Sequence, residues 1–157
     1  MANSDVIRGF VPIRQLNGSA VPSPNEYIVT TGQIVYRGDL LKGVAAGTVQ
    51  ASAAGDAAIV IGVAAEYVND SGGVGGKKVL VHDDPYTIFE VQADTGTTVA
   101  ATAVFATADH IAGAGNATTK WSGHELDSSD IGTGTQLRIL GKVDKSDNEW
   151  AEHVKLE

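Results

Sequence analysis

An all-β fold, with antiparallel strands in a sandwich or barrel-like arrangement, follows from two features of this 157-residue chain. Between Gly38 and Gln92, short apolar runs recur at 40–44, 48–52, 58–68, 77–82 and 86–92, and Gly, Asp, Asn or Pro separates each from the next. Runs of this kind, rich in Val and Ile and broken at close intervals, mark strands joined by turns. The composition points the same way. Ala, Val, Gly and Thr dominate, aromatic residues are only 6%, and the 19 glycines suit short strands with tight turns better than long amphipathic helices.

The length suits one domain with a real core. We expect a single β domain over 25–157, preceded by an extended arm over 1–24. In the arm, Val11-Pro12 and Val21-Pro22-Ser23-Pro24 favour an extended path, and Asn17-Gly18-Ser19 a turn. Apolar Ile7, Phe10, Ile13 and Leu16 interleave there with Arg8 and Arg14. These six are the candidate interface residues. Such a segment reads either as an edge strand plus a loop, or as an arm that docks on another subunit by adding a strand or filling a groove.

The remaining elements follow in order. Strands are expected at 26–31 (EYIVTT) and 33–37 (QIVYR), with Gly32 as the break. Gly62, inside the longest apolar run, predicts a bulge or bend, because a glycine within a strand packs nothing. Residues 69–76 (NDSGGVGG) read as a loop, and Asp83-Asp84-Pro85 as a tight turn joining 77–82 and 86–92 into a hairpin. The run 99–111 (VAATAVFATADHI) fits a short helix and a strand equally well. Residues 112–119 and 128–135 are loop-like, 136–143 alternates as a half-buried strand, and 150–156 begins another. That last strand stops so abruptly that the expectation is a truncated chain or a tail beyond it.

Bulk properties exclude several functions. A net charge of −8, with scattered Lys and Arg, speaks against a nucleic-acid groove. The chain has no cysteine, so neither disulfides nor thiolate metal sites are expected. It has no basic-then-apolar leader and no apolar run of membrane-spanning length, so a soluble protein made in a reducing cytosol is expected.

The search for chemistry returns little. Gly76-Lys77 lacks both the leading glycine and the following hydroxyl of a phosphate loop. No serine occupies a nucleophile elbow; Ser122 is the nearest, and an exposed loop serine is the expected reading. His82, Asp83 and Asp84 form the densest ligand-capable group, which a hairpin turn explains without an ion. Residues 127–130 carry carboxylates suited to a weak Ca²⁺ site but lack regular ligand spacing. The histidines His82, His110, His124 and His153 lack zinc spacing, and each is expected to be a surface or partly packed residue. Trp121 and Trp150 are expected to cover the ends of the core, or one of them to anchor an interface. No catalytic group, cofactor or metal is expected.

Taken together, GDLLKG…GTVQAS…AIVIGVAAEYV…KKVLVHDDPYTIFEVQAD, then ADHIAGAGNATTKWSGHELDSS and TQLRILGKVDKSDNEW, resemble the decoration or cement proteins of tailed-bacteriophage capsids over about residues 25–155. The resemblance rests on the order of strand, glycine and turn. It implies a structural virion protein on the outer capsid surface, made in the host bacterial cytoplasm, which binds the major capsid protein and stabilises the head by bridging capsomers. It also implies self-association, a homotrimer being favoured over a dimer, with no nucleic acid and no membrane as partner. The alternative is a carbohydrate-binding β-sandwich module of a phage tail or head fibre, stacking sugars on Trp121, Trp150 or Tyr27. A hydrolase with a site assembled only on folding is a third and weaker reading.

Overall fold

The computed structural model describes residues 3–157, so residues 1 and 2 of the expected arm lie outside the described residues. The chain is all-β. Its strands are β1 (Val11–Gln15), β2 (Asn25–Ile28), β3 (Ile34–Val35), β4 (Leu40–Gly43), β5 (Val49–Ala51), β6 (Val60–Ala64), β7 (Val68–Asn69), β8 (Lys78–His82), β9 (Thr87–Gln92), β10 (Thr107–Ala108), β11 (His110–Gly113), β12 (Gly123–Leu126), β13 (Leu137–Arg138) and β14 (Lys155–Leu156). Five of them form an antiparallel sheet in the order β2-β8-β6-β4-β5, and three form another in the order β1-β9-β14. The pairs β3-β7, β10-β13 and β11-β12 complete the set.

The larger sheet is apolar on both faces at its centre. Successive strand residues point to opposite faces. Leu40 and Leu41 on β4, and Val63 and Ala64 on β6, are all buried, and each neighbouring pair divides between two cores. On one side Leu40 and Val63 meet Phe10, Val91, Leu126, Ile139, Val154 and Leu156. On the other, Leu41 and Ala64 meet Val29, Val35, Val49, Val79 and Val81. The sheet curls round this second core: beyond β2, Val29 lies parallel to Val49, and the Thr30 N–H donates to the Val49 carbonyl at 2.9 Å.

Gly62 does what its position predicted. Leu41 lies opposite Gly62 and Lys42 opposite Val60, so Ile61 is the extra residue of a bulge. A Cβ at Gly62 would come 2.3 Å from the His82 carbonyl oxygen, so only glycine lets β6 pass so close to β8.

Several expectations need correction. The strands 77–82 and 86–92 do not form a hairpin. β8 pairs with β2 and β6, whereas β9 pairs with β1 and β14, and the turn at Asp83-Asp84-Pro85 carries the chain from one sheet to the other. The run 99–111 is mainly neither helix nor one strand. A single 3₁₀ turn at Ala101–Ala103 precedes β10 and the start of β11. The strands expected at 136–143 and 150–156 shrink to β13 and β14.

The N-terminal segment is extended, and it lies along its own body. Asn3 Nδ2 donates to the carbonyls of Glu149 and Glu152 at 2.9 and 2.8 Å, and Val6 N–H donates to Gln92 Oε1 at 2.9 Å. Phe10 N–H donates to the Gly38 carbonyl at 2.9 Å, and β1 forms an edge of the smaller sheet beside β9. Arg14 reaches Glu157, with its Nη2 3.0 Å from Oε2.

Truncating Leu41 removes a fully buried side chain at the wall between the cores, so Leu41→Ala should lower stability by about 2–5 kcal/mol. In urea denaturation this appears as a lower midpoint with an unchanged slope. A loss under about 1 kcal/mol would contradict the two-core description.

Candidate interaction surface and buried polar centre

The six N-terminal candidates divide by environment. Phe10 is 4% exposed and belongs to the first core. Arg14 is half-buried and paired with Glu157. Ile7 and Arg8 lie exposed on the docked segment. Ile13 is unpaired because the β1–β9 register jumps from Pro12–Phe89 to Arg14–Ile88, and this bulge leaves it facing outward.

Leu16 lies just past β1 and is 60% exposed. Its N–H donates to the Tyr86 carbonyl at 2.9 Å, and Tyr86 is itself 64% exposed. Leu16, Tyr86, Gln15 and Asn17 together line a shallow concavity on the surface. The Leu16–Tyr86 pairing joins a turn of the N-terminal segment to the turn before β9, a proximity that no local pattern in the sequence reveals.

A second surface is aromatic and cationic. The Arg37 guanidinium carbon lies 4.5 Å from the Trp121 ring centre, and Lys120 Nζ lies 4.7 Å from that of Tyr67. The Tyr67 ring packs 5.2 Å from Tyr36. Backbone bonds hold this surface, with Arg37 N–H donating to the Lys120 carbonyl and Ser122 N–H to the Arg37 carbonyl. The other proposed sugar platforms are committed to packing. Trp150 lies against the first core and Tyr27 against the second, and the Tyr27 hydroxyl donates to Asp83 at 2.5 Å.

Behind the second surface lies a buried polar centre that the sequence reading missed. His110, His124, Asp39, Ser52 and Ser122 are all buried, which corrects the expectation of an exposed loop serine at Ser122 and of surface or partly packed histidines at 110 and 124, whereas His82 and His153 are partly buried as expected. Two pairings make the burial tolerable. His124 Nδ1 accepts the Leu40 N–H at 3.2 Å, leaving Nε2 to face Asp39 Oδ1 at 3.5 Å. His110 Nδ1 lies 2.8 Å from Gln136 Oε1, and its Nε2 lies 3.1 Å from the Ser52 carbonyl. Gln136 Nε2 donates to the carbonyls of Ala53 and Asp56, which fixes the orientation of that amide. The one available signal was alternation along β11 and β12, which puts His110 and His124 on the inward face beside Leu126.

This centre does not have the arrangement of an acyl-transfer triad. A triad needs a ring nitrogen beside the serine hydroxyl. Here the Ser122 hydroxyl is a partner of the Asp39 carboxyl and accepts the His124 N–H at 2.9 Å, while His124 Nδ1 is taken by Leu40. Burial raises the Asp39 pKa despite those bonds. Burial, with the proximity of His110, lowers that of His124 from 6.5 to about 3.

The other candidate groups are occupied by turns. Asp83 accepts from Asn25 Nδ2 and the Tyr27 hydroxyl, which hold it ionised below the ordinary carboxylate range despite partial burial. Asp84 Oδ1 accepts the Tyr86 N–H at 2.8 Å. Asp127 Oδ1 accepts from the Ser129 N–H and hydroxyl at the 3₁₀ turn Ser128–Asp130. Among the described residues, no helix is long and apolar enough to cross a membrane. Comparison with known protein families, with curated proteins and with solved structures finds no match for this chain.

The depressed His124 pKa makes stability pH-dependent. The unfolded chain takes up a proton near 6.5 that the folded chain refuses until about 3. Its contribution is therefore complete above 6.5 and is lost as pH falls through that window, by up to about 1.4 kcal/mol per unit. His82, also lowered by burial, adds in the same sense, whereas Asp39 and Glu125, raised by burial, act in the opposite sense above their unfolded values. The urea midpoint should fall between pH 7 and 4.5, and His124→Gln should flatten the slope. An unchanged slope in that variant would remove His124 as its source.

Proposed function

We propose that this chain is a structural virion protein, a decoration or cement protein that binds the outer surface of a tailed-bacteriophage capsid and bridges neighbouring capsomers. The observation that carries this reading is an all-β body with Ile7, Ile13 and Leu16 exposed along a segment bonded to it and Tyr86 exposed beside Leu16. A docked segment loses little conformational freedom when it binds, so its apolar contacts go further toward affinity. The composition and the strand, glycine and turn order support the same reading. In it the protein does no covalent chemistry, and its partners are the major capsid protein and further copies of itself, most simply as a trimer. Oligomerisation makes each successive capsid contact effectively intramolecular, so a modest patch per subunit is enough. The excess of negative charge suits a position outside the shell, away from the genome.

The aromatic and cationic surface at Trp121 favours one second reading, a carbohydrate-binding module. Aromatic faces beside fixed donors are the features that a sugar ring uses. Trp121→Ala would abolish selective binding on a glycan array under that reading and leave capsid binding intact under the first.

Purified particles should carry hundreds of copies by mass spectrometry, and particles stripped of the protein should release DNA at lower temperature or after milder osmotic shock. Leu16→Asp combined with Tyr86→Ser should reduce re-binding to stripped particles at least tenfold while leaving the urea midpoint nearly unchanged. Equal stability of stripped and decorated heads, or full re-binding by the double variant, would defeat the proposal.

A further inference from the structure

The chain carries six asparagines, and Asn17 alone is followed by glycine. Both residues are exposed, in the turn that follows β1. The Gly18 N–H donates to the Gln15 carbonyl at 2.9 Å and the Gln15 N–H to the Ser19 carbonyl at 3.0 Å, which closes the turn around Leu16 and Asn17. Gly18 has φ 84°, in the left-handed region, and a Cβ added there would meet nothing within 4 Å. No side chain of its own shields the Gly18 amide nitrogen, and the space beside it is open.

The Asn17 side chain is folded toward that nitrogen. Its Oδ1 accepts the Ser19 N–H at 2.9 Å and the Ser19 hydroxyl at 2.5 Å, an Asx turn that brings the side-chain amide back over the Gly18 peptide. A backbone N–H can only donate, so the amide oxygen is the atom on that side. Among the described residues no acceptor holds Asn17 Nδ2. The other asparagines lack this combination. Asn3 and Asn148 are buried, and Asn25, Asn69 and Asn116 are followed by Glu26, Asp70 and Ala117, whose side chains crowd the attacking nitrogen.

We propose that Asn17 is a self-modification site, where the Asn17–Gly18 pair converts in water through a succinimide to aspartate or isoaspartate. The Gly18 nitrogen loses its proton to hydroxide and attacks Asn17 Cγ. The N–Cγ bond forms, the Cγ–Nδ2 bond breaks, and Nδ2 leaves as ammonia with a proton taken from water. As the nitrogen adds, negative charge collects on Oδ1, where the two Ser19 donors stand. The bond from Gly18 to Gln15 must open first, and in an exposed turn such local opening costs little. Water then cleaves the ring at either carbonyl. Cleavage at the main-chain carbonyl leaves isoaspartate, which adds a methylene to the main chain, and both products carry a new negative charge. A longer main chain inside the Gln15–Ser19 closure displaces Leu16, whose N–H bonds the Tyr86 carbonyl. Under the capsid reading a chain so altered loses the Leu16–Tyr86 patch. The reaction itself does not rest on that reading, because it concerns the isolated chain.

The test incubates the full chain at pH 7 and at pH 9 and follows it by intact mass and tryptic mapping. The peptide 15–37, bounded by Arg14 and Arg37, should gain the mass of an amide converted to a carboxyl, at least tenfold faster at the higher pH. Fragmentation should place the change at position 17 and leave Asn25 unaltered. Part of the product should accept a methyl group from an isoaspartyl methyltransferase. Asn17→Gln should abolish the gain, and Gly18→Asp, a residue that tolerates left-handed backbone, should slow it at least tenfold. In the isoaspartate form the Leu16 N–H should exchange with deuterium at least tenfold faster than in the unmodified chain. The proposal is overturned by an unmodified position 17 under conditions that convert a free peptide of residues 11–22, by an equal rate in Gly18→Asp, by faster conversion at another asparagine, or by unchanged exchange at Leu16.

Discussion

The pairing of β4 with β6 is the constraint on which the rest of the molecule depends. Leu40 and Leu41, and Val63 and Ala64, send neighbouring side chains into different cores. Side-chain direction has a period of two, so a slip of one residue would exchange the contents of both cores at once. The bulge at Ile61 and the bare Cα of Gly62 hold that register, because any larger residue at 62 would strike the His82 carbonyl. A sheet with one wet face tolerates errors on that face. This one has no such margin at its centre.

The same pairing positions the polar centre. Asp39 directly precedes β4, its carbonyl accepts the Ala64 N–H at 3.0 Å, and the Gly38 N–H donates to the Ala64 carbonyl at 2.9 Å. Leu40 gives its side chain to the first core and its N–H to His124. Gly38 also accepts from Phe10, so the N-terminal segment hangs from the same corner. A buried, bonded network of this kind penalises alternatives more than it stabilises the native state, since a misplaced strand would leave His124 or Asp39 unpaired away from water.

The sequence disclosed the parts of this fold that obey local rules. The strands between Leu40 and Gln92, the bulge at Gly62 and the turn at 83–85 were legible, because each depends on a few neighbouring residues, whereas the strands expected at 136–143 and 150–156 survive only as β13 and β14. What escaped it depends on long-range pairing. The turn at 83–85 looks the same whether it closes a hairpin or carries the chain between sheets, and only the competing partners β1 and β6 decide. Strand β12 hid in GHEL because two of its four residues are polar. His124 is buried there through bonds to Leu40 and Ser122, which lie outside any window that reads hydropathy. In the N-terminal stretch, interleaved Arg8 and Arg14 marked a surface segment, yet nothing local distinguished Phe10, a core residue, from Ile13, pushed outward by a bulge.

These constraints bear on the proposed function through the placement of the N-terminal segment. An interface formed by a loose arm must order that arm on each binding event, at about 1–2 kcal/mol for each backbone residue fixed. Here Asn3, Val6, Phe10 and the β1–β9 pairing have already ordered it during folding. The exposed apolar residues that remain along it are Val6, Ile7, Ile13 and Leu16, with Tyr86 beside Leu16. In the proposed reading many copies act together on a repeating lattice, where each contact raises the effective concentration of the next. On that reading, an extended segment already bonded to the β body is what a subunit covering a repetitive shell would use.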